Sequence, residues 1–262
     1  MLVGGLLVLL VILAAVLAPV LSIHDPLTMT PRNRLQPPSA QHLLGTDEFG
    51  RDVLSRMLYG ARISVQIGLT VVVITVISGT IVGMLAGYYK GLDNIVMRFL
   101  DGLMAFPEII IAITLAAVWG AGMTNIIFAM SFAYFPRMAR VVRGSVLASR
   151  DLEYVEAARA IGARNTYIMT RHILPNCLSP ILVQATFCFA TAILAEAALS
   201  YLGVGIKEPA PSWGGMISQG RDFMAVAPWL VNVPGIAIIL AVLGLNLLGD
   251  GIRDYLDPRL QD

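Results

Sequence analysis

Six apolar runs, at roughly 2–21, 63–88, 97–118, 124–143, 177–203 and 229–250, limit what this chain can fold into more than anything else in its sequence. Each is close to the ~20 residues a helix needs to cross the hydrocarbon layer of a bilayer. Lipid offers no hydrogen-bond partner to a bare backbone, so such runs satisfy their own N–H and C=O groups as helices. The charges fall between the runs, and at 13% of residues they are about half as frequent as in an ordinary soluble domain. With a mean hydropathy of +0.76, the expectation is an all-α membrane protein of six transmembrane helices. The net charge of +1 gives no basic field for nucleic acid. The run from Met1 lacks the basic start of a secretory signal and exceeds its usual apolar length, so it reads as an uncleaved membrane helix. Its abrupt opening suggests a cytoplasmic tail ahead of this numbering.

Within the second run Gly79, Gly83 and Gly87 recur every four residues, which predicts a face that another helix approaches closely. Pro107 and Pro136 each remove a backbone donor, and kinks are expected there in the third and fourth runs. Counting Lys and Arg sets the orientation. With 143–175 inside, the 18 basic residues divide 11 to 7 in favour of both termini inside. The organisation expected is an N-terminal helix over 1–22, an extracytoplasmic segment over 23–62, and a five-helix core over 63–262. In the outer segment, 24–40 carries four prolines and reads as extended, whereas 46–56 has the residues to start a surface helix. A second outer segment, 203–228, carries Pro209, Pro211 and Trp213, with Trp229 at its end, and the tryptophans suit a membrane interface. Both segments either brace the rim of the bundle or receive a partner.

Candidate chemistry is sparse. Cys177 and Cys188 suit neither a disulfide framework nor a zinc pair and read as packing residues. His24, His42 and His172 are scattered without partners at ligand spacing, so no metal or other cofactor is expected in this chain. Glu108, just past the Pro107 break, and Glu196, among alanines in the fifth run, are expensive in lipid and are candidates to line a pathway. Glu196 has the competing reading of a carboxyl bonded to a neighbouring helix. Arg137 and Arg140 are expected to snorkel or to pair with acids in a complex. The two lysines, Lys90 and Lys207, lack the Gly-Lys-Ser/Thr context of a phosphate-binding loop. No catalytic residues are expected. An ion-coupled carrier would need paired polar residues at mid-membrane and often an internal repeat, and an intramembrane enzyme would need a nucleophile and base or a metal pair; the chain offers neither.

The polar element at 149–175 reads as two short helices hinged at Gly162. Ser149 or Asp151 is placed to cap the first, Asp151, Glu153 and Glu156 suit its positive end, and Leu152, Val155 and Ala158 recur on an apolar face. Gly162 can adopt the left-handed conformation that closes such a helix. Pro175 then stops the second helix or starts the next span. The residues alone leave two readings open: a loop lying on lipid headgroups, or a rigid knob offering Glu156 and the small Ala157 and Ala158 to a partner.

A resemblance decides between them. Glu156-Ala157-Ala158, three residues, Gly162, nine residues, then a pair before Leu174-Pro175 resembles the cytoplasmic "EAA" loop by which permease subunits of ABC importers dock on their ATPases. His42-Leu43-Leu44-Gly45-Thr46-Asp47 with Gly50-Arg51-Asp52, Ala198-Leu199-Ser200-Tyr201-Leu202-Gly203, Trp213-Gly214, Asn246-Leu247-Leu248-Gly249-Asp250-Gly251 and Leu256-Asp257-Pro258 are similar to the dipeptide, oligopeptide and nickel branch of that family, in its second, shorter permease. The resemblance runs from about residue 20 to the end. It implies a type I importer permease fold in a bacterial inner membrane, with Glu156, Ala157, Ala158, Gly162, Leu174 and Pro175 coupling to ATPases. It also implies a second homologous permease, two ATPase subunits holding ATP and Mg, and an extracytoplasmic substrate-binding protein. Short peptides, dipeptides above all, are the preferred cargo, with nickel chelates, glutathione and longer oligopeptides as alternatives. His172 stands where the general loop pattern often has an aliphatic residue, and its role is open.

Overall fold

A computed structural model describes residues 1–256; Asp257, Pro258 and Arg259, used in the motif and orientation readings above, lie outside the described residues. Helices account for most of it: α1 (Leu2–Val16), α2 (Val53–Tyr88), α3 (Lys90–Met104), α4 (Glu108–Trp119), α5 (Met123–Ser149), α6 (Glu153–Ala160), α7 (Asn165–Tyr201), α8 (Trp213–Gly220) and α9 (Trp229–Leu256). By length and composition three of these, α2, α7 and α9, are able to cross a membrane, and a fourth span is formed if α3 and α4 count as one broken helix. The expected six are therefore not all met by that measure. α1 is apolar but only 15 residues long before Leu17 interrupts it, and α5 carries Arg137, Arg140 and Arg143 along its second half.

The helix borders depart from the apolar runs in instructive ways. α2 is 36 residues, roughly 54 Å at 1.5 Å per residue, and overshoots a ~30 Å hydrocarbon core. It begins at Val53, ten residues before its apolar run, because the Asp52 carboxylate accepts from the Ser55 backbone N–H at 2.8 Å and from its hydroxyl at 2.9 Å. The surface helix expected from 46–56 is thus the first turns of the span itself, preceded by a turn in which Thr46 pairs with Asp52. The third run is broken rather than kinked: α3 and α4 meet at 84° across Ala105-Phe106-Pro107. Pro136, by contrast, sits inside an uninterrupted α5.

The glycine stripe lies against α5. A Cβ at Gly79 would stand 2.6 Å from Met138 Cβ, and one at Gly83 would stand 2.5 Å from the Ala139 carbonyl oxygen. Two backbones in contact maximise dispersion where lipid supplies no hydrophobic drive. Around this pair, Ile67 and Val71 of α2, Ala112 and Ala116 of α4, Ile126 and Met130 of α5, and Ala192 and Leu199 of α7 form the central core. Cys177 and Cys188 are free and buried, as packing residues should be.

The two long connections, 22–52 and 203–228, close one end of the bundle and brace it. Arg51 and Arg56, 0% and 1% exposed, gather around Asp47, and the Gln219 amide oxygen accepts from Arg56 Nη2 at 3.0 Å, tying α8 to the start of α2. The tryptophans expected at a lipid interface are anchors in this assembly. Trp213 is buried and donates to the Met57 carbonyl at 3.1 Å, and Trp229 donates to that of Thr46 at 3.2 Å.

Candidate functional site

The opposite end of the bundle carries the polar element. α6 is eight residues long, and its cap differs from the sequence reading. Leu152 occupies the N-cap with no side-chain bond, and its side chain is exposed rather than part of the apolar face. Ser149 still belongs to α5, and Asp151 is turned out beside Arg150. Glu153 and Glu156 do fall in the first turn, where the helix dipole favours carboxylates. Val155 and Ala158 are buried against Met84, Val142, Val146, Ile168 and Ile173, so the inner face of α6 is fixed to the bundle.

Gly162 has φ +82°, the left-handed conformation expected of it, and nothing stands within 4 Å of where a Cβ would be. The chain then turns into α7 without a second short helix. Residues 165–201 are one continuous helix in which Ile168–Ile173 form a π-helical turn. Pro175 follows one residue later; it has no N–H to donate backward and its ring crowds the preceding turn, which a widened turn relieves. Leu174 and Pro175 are therefore built into the span rather than marking a stop. Glu156, Ala157 and Gly162 are exposed, Ala158 is buried, and Ile161 is bare at 86% exposure.

Several residues to which sequence reasoning gave no role hold this element in place. Arg150 Nη1 donates to the Gly87 carbonyl at 2.7 Å, capping the end of α2. The Tyr88 hydroxyl donates to Asn165 Oδ1 at 2.8 Å. His172 packs between the rings of Tyr154, at 6.1 Å, and Tyr167, at 5.5 Å, so it joins α6 to α7. The two elements were legible in the sequence; the ring contacts that bridge them were not.

The two candidate pathway carboxylates separate. Glu196 is fully buried, accepting from Ser64 Oγ at 3.1 Å and Ser200 Oγ at 2.7 Å, with Ser212 Oγ 3.4 Å from Ser200 Oγ. It joins α2, α7 and the segment before α8 and meets no open surface, the arrangement of the competing reading, a carboxyl bonded to a neighbouring helix. Glu108 is partly exposed and pairs with Arg137 at 3.0 Å, among Thr75, Tyr134, Gln184 and Thr191. Arg140 pairs with Asp101 and Arg143 with Asp93, so these arginines find acids within the chain. The histidines also prove less scattered than their positions imply, since the fold brings His24 and His42 together at Asp52.

An apolar helical bundle with an exposed polar element at one end and a braced cap at the other is the form of a membrane permease subunit. The comparisons agree. Residues 79–262 match the family model described as "Binding-protein-dependent transport system inner membrane component", and the chain belongs to that family. A protein of Brucella suis biovar 1 (strain 1330), provisionally named a peptide transport system permease protein, is 52% identical over 99% of this chain and 88% of its own length. The dipeptide transport system permease protein DppC of Alkalihalophilus pseudofirmus is 46% identical over 95% of this chain and 83% of its own length. In fold, the chain is similar to an inward-facing crystal structure of the MetNI methionine ABC transporter, with a TM-score of 0.64 over 77% of this chain and 96% of that one at 19% identity.

Proposed function

We propose that this chain is one of two homologous permease subunits of an ATP-driven importer of short peptides, with dipeptides as the preferred cargo. The observation that carries the coupling role is the 149–175 element, whose inner residues Val155 and Ala158 are locked into the bundle while Glu156, Ala157, Gly162 and Ile161 are bare. A rigid base with an unpartnered tip transmits displacement. In this reading the tip seats on one of two cytoplasmic ATPase subunits, which hold ATP and Mg. An extracytoplasmic binding protein delivers substrate to the end closed by 22–52 and 203–228, and both termini are cytoplasmic. α1 and α5 complete a set of six spans, α1 extended by Ala18–Leu21 and α5 with its arginines paired to acids. The motifs shared with the peptide branch and the peptide names of the relatives support the cargo class.

The pair of Glu108 and Arg137 is the part of the bundle best suited to meet a zwitterionic substrate, because it presents both charges at one partly open place. Closure of the ATPase pair moves the knob as a body, and the spans rearrange from inward-open to outward-open; hydrolysis resets them. The test is Gly162→Asp and Glu156→Lys in the reconstituted complex. ATP hydrolysis persists while dipeptide uptake per ATP falls by about tenfold or more, the effect of a contact worth roughly 1.4 kcal/mol. Normal uptake by both variants at wild-type complex levels refutes the coupling role.

A further inference from the structure

We infer that His24, His42 and Asp52 form a binding site for a divalent late first-row transition metal of the Zn2+ type, at the end of the bundle opposite the 149–175 knob. The three come from separate pieces of chain: the extended stretch after α1, the turn at 42–47, and the N-cap of α2. One ligand atom from each lies within 4.8 Å of the other two. His42 Nδ1 stands 2.9 Å and His24 Nδ1 3.8 Å from the same oxygen, Asp52 Oδ1. Tetrahedral bonds of about 2.0–2.1 Å put neighbouring ligands about 3.3–3.4 Å apart, and these two separations bracket that spacing.

The carboxylate is already divided in the way a ligand needs. Asp52 Oδ2 is committed to the Ser55 N–H and hydroxyl, so Oδ1 alone turns to the imidazoles. His42 and Asp52 are buried, which fixes two donors, while the His24 side chain is 42% exposed and free to swing the remaining distance and leave a solvent position open. His42 Nε2 has an outer partner in the Asn33 side-chain amide at 3.4 Å. A metal at Nδ1 leaves the ring proton on Nε2, where the Asn33 amide oxygen accepts it once the amide turns over. Two imidazoles and a single carboxylate disfavour Ca2+ and Mg2+, which take all-oxygen shells, and suit Zn2+ or its neighbours. A His42–Asp52 hydrogen bond alone would account for a braced helix start. It does not account for a second imidazole turned to the same oxygen, with ring centroids 5.0 Å apart.

A bound ion would fasten the segment following α1 to the first turn of α2. The experiment is titration of the complete chain, purified in detergent with the subunits that accompany it, with Zn2+ against a chromogenic zinc indicator, and separately with Co2+ followed by its visible absorption. One tight equivalent is expected, with Co2+ bands of a four-coordinate site. His24→Ala, which removes an exposed side chain and leaves the Asp52 cap intact, weakens binding by at least about tenfold, the effect of losing even an outer partner of a metal ligand. Asn33→Ala weakens it less. Absence of a tight equivalent in the unaltered protein overturns the assignment, as does a His24→Ala protein with unchanged affinity and cobalt spectrum. His42→Ala can disturb the fold, and the His24 variant decides the matter without it.

Discussion

Asp47 accepts from Arg51 Nε at 2.5 Å and from the backbone N–H groups of Phe49 and Arg51 at 2.9 Å each, with Arg56 Nε at 3.4 Å. Two guanidinium groups with almost no solvent contact therefore depend largely on one carboxylate. Asp47→Ala strands them and is expected to cost about 3–5 kcal/mol, read as a lowered thermal midpoint in detergent, whereas Asp222→Ala, at a solvent-exposed pair with Arg221, stays within about 0.5 kcal/mol. Single residues were the least legible part of this sequence. Glu108 and Glu196 are alike on paper, each a lone carboxylate in an apolar run. They are told apart by neighbours far away in the chain: Ser64, 132 residues from Glu196, and Arg137 beside Glu108. The meeting of His24, His42 and Asp52 is hidden for the same reason, since spacing along an extended segment does not report where it folds back.

Helices were far more legible, because glycine spacing and apolar runs act over the scale of the element itself. The four-residue stripe on α2 anticipated a close helix contact without saying which helix makes it, and a side chain there has nowhere to go: Gly83→Leu would press on the Ala139 carbonyl and on Val142 of α5. Its cost exceeds the ~1–3 kcal/mol of ordinary overpacking, so no folded protein is expected on size-exclusion chromatography, whereas Gly91→Ala in α3, with nothing within 4 Å, behaves as the parent. Pro107 marked the place of the α3–α4 break but not its 84° angle, which depends on how α3 is held. Asp93 and Asp101 of α3 are paired with Arg143 and Arg140 of α5, contacts made across 50 and 39 residues. The cap of α6 was misjudged because a polar side chain near a helix start is only a candidate; here the chain enters at Leu152 and the backbone does without one.

At the scale of the molecule, the proposed coupling requires the knob and the spans to move together, and Arg150 is one of the residues that tie them, at the carbonyl of Gly87. Arg150→Met removes a charge-assisted bond worth about 1.5–3 kcal/mol; ATP hydrolysis by the reconstituted complex is expected to hold while uptake per ATP falls several-fold, and unchanged uptake would assign the knob's stiffness to the α6 packing alone. The glycine stripe has a further mechanical meaning. Val142 and Val146 ride in a channel floored by Gly83 and Gly87, close enough that separating the helices would empty it along several turns. A tongue seated in a groove resists being spread apart, and with Arg150 fastened to the Gly87 carbonyl, α2 and α5 are built to be carried as one piece.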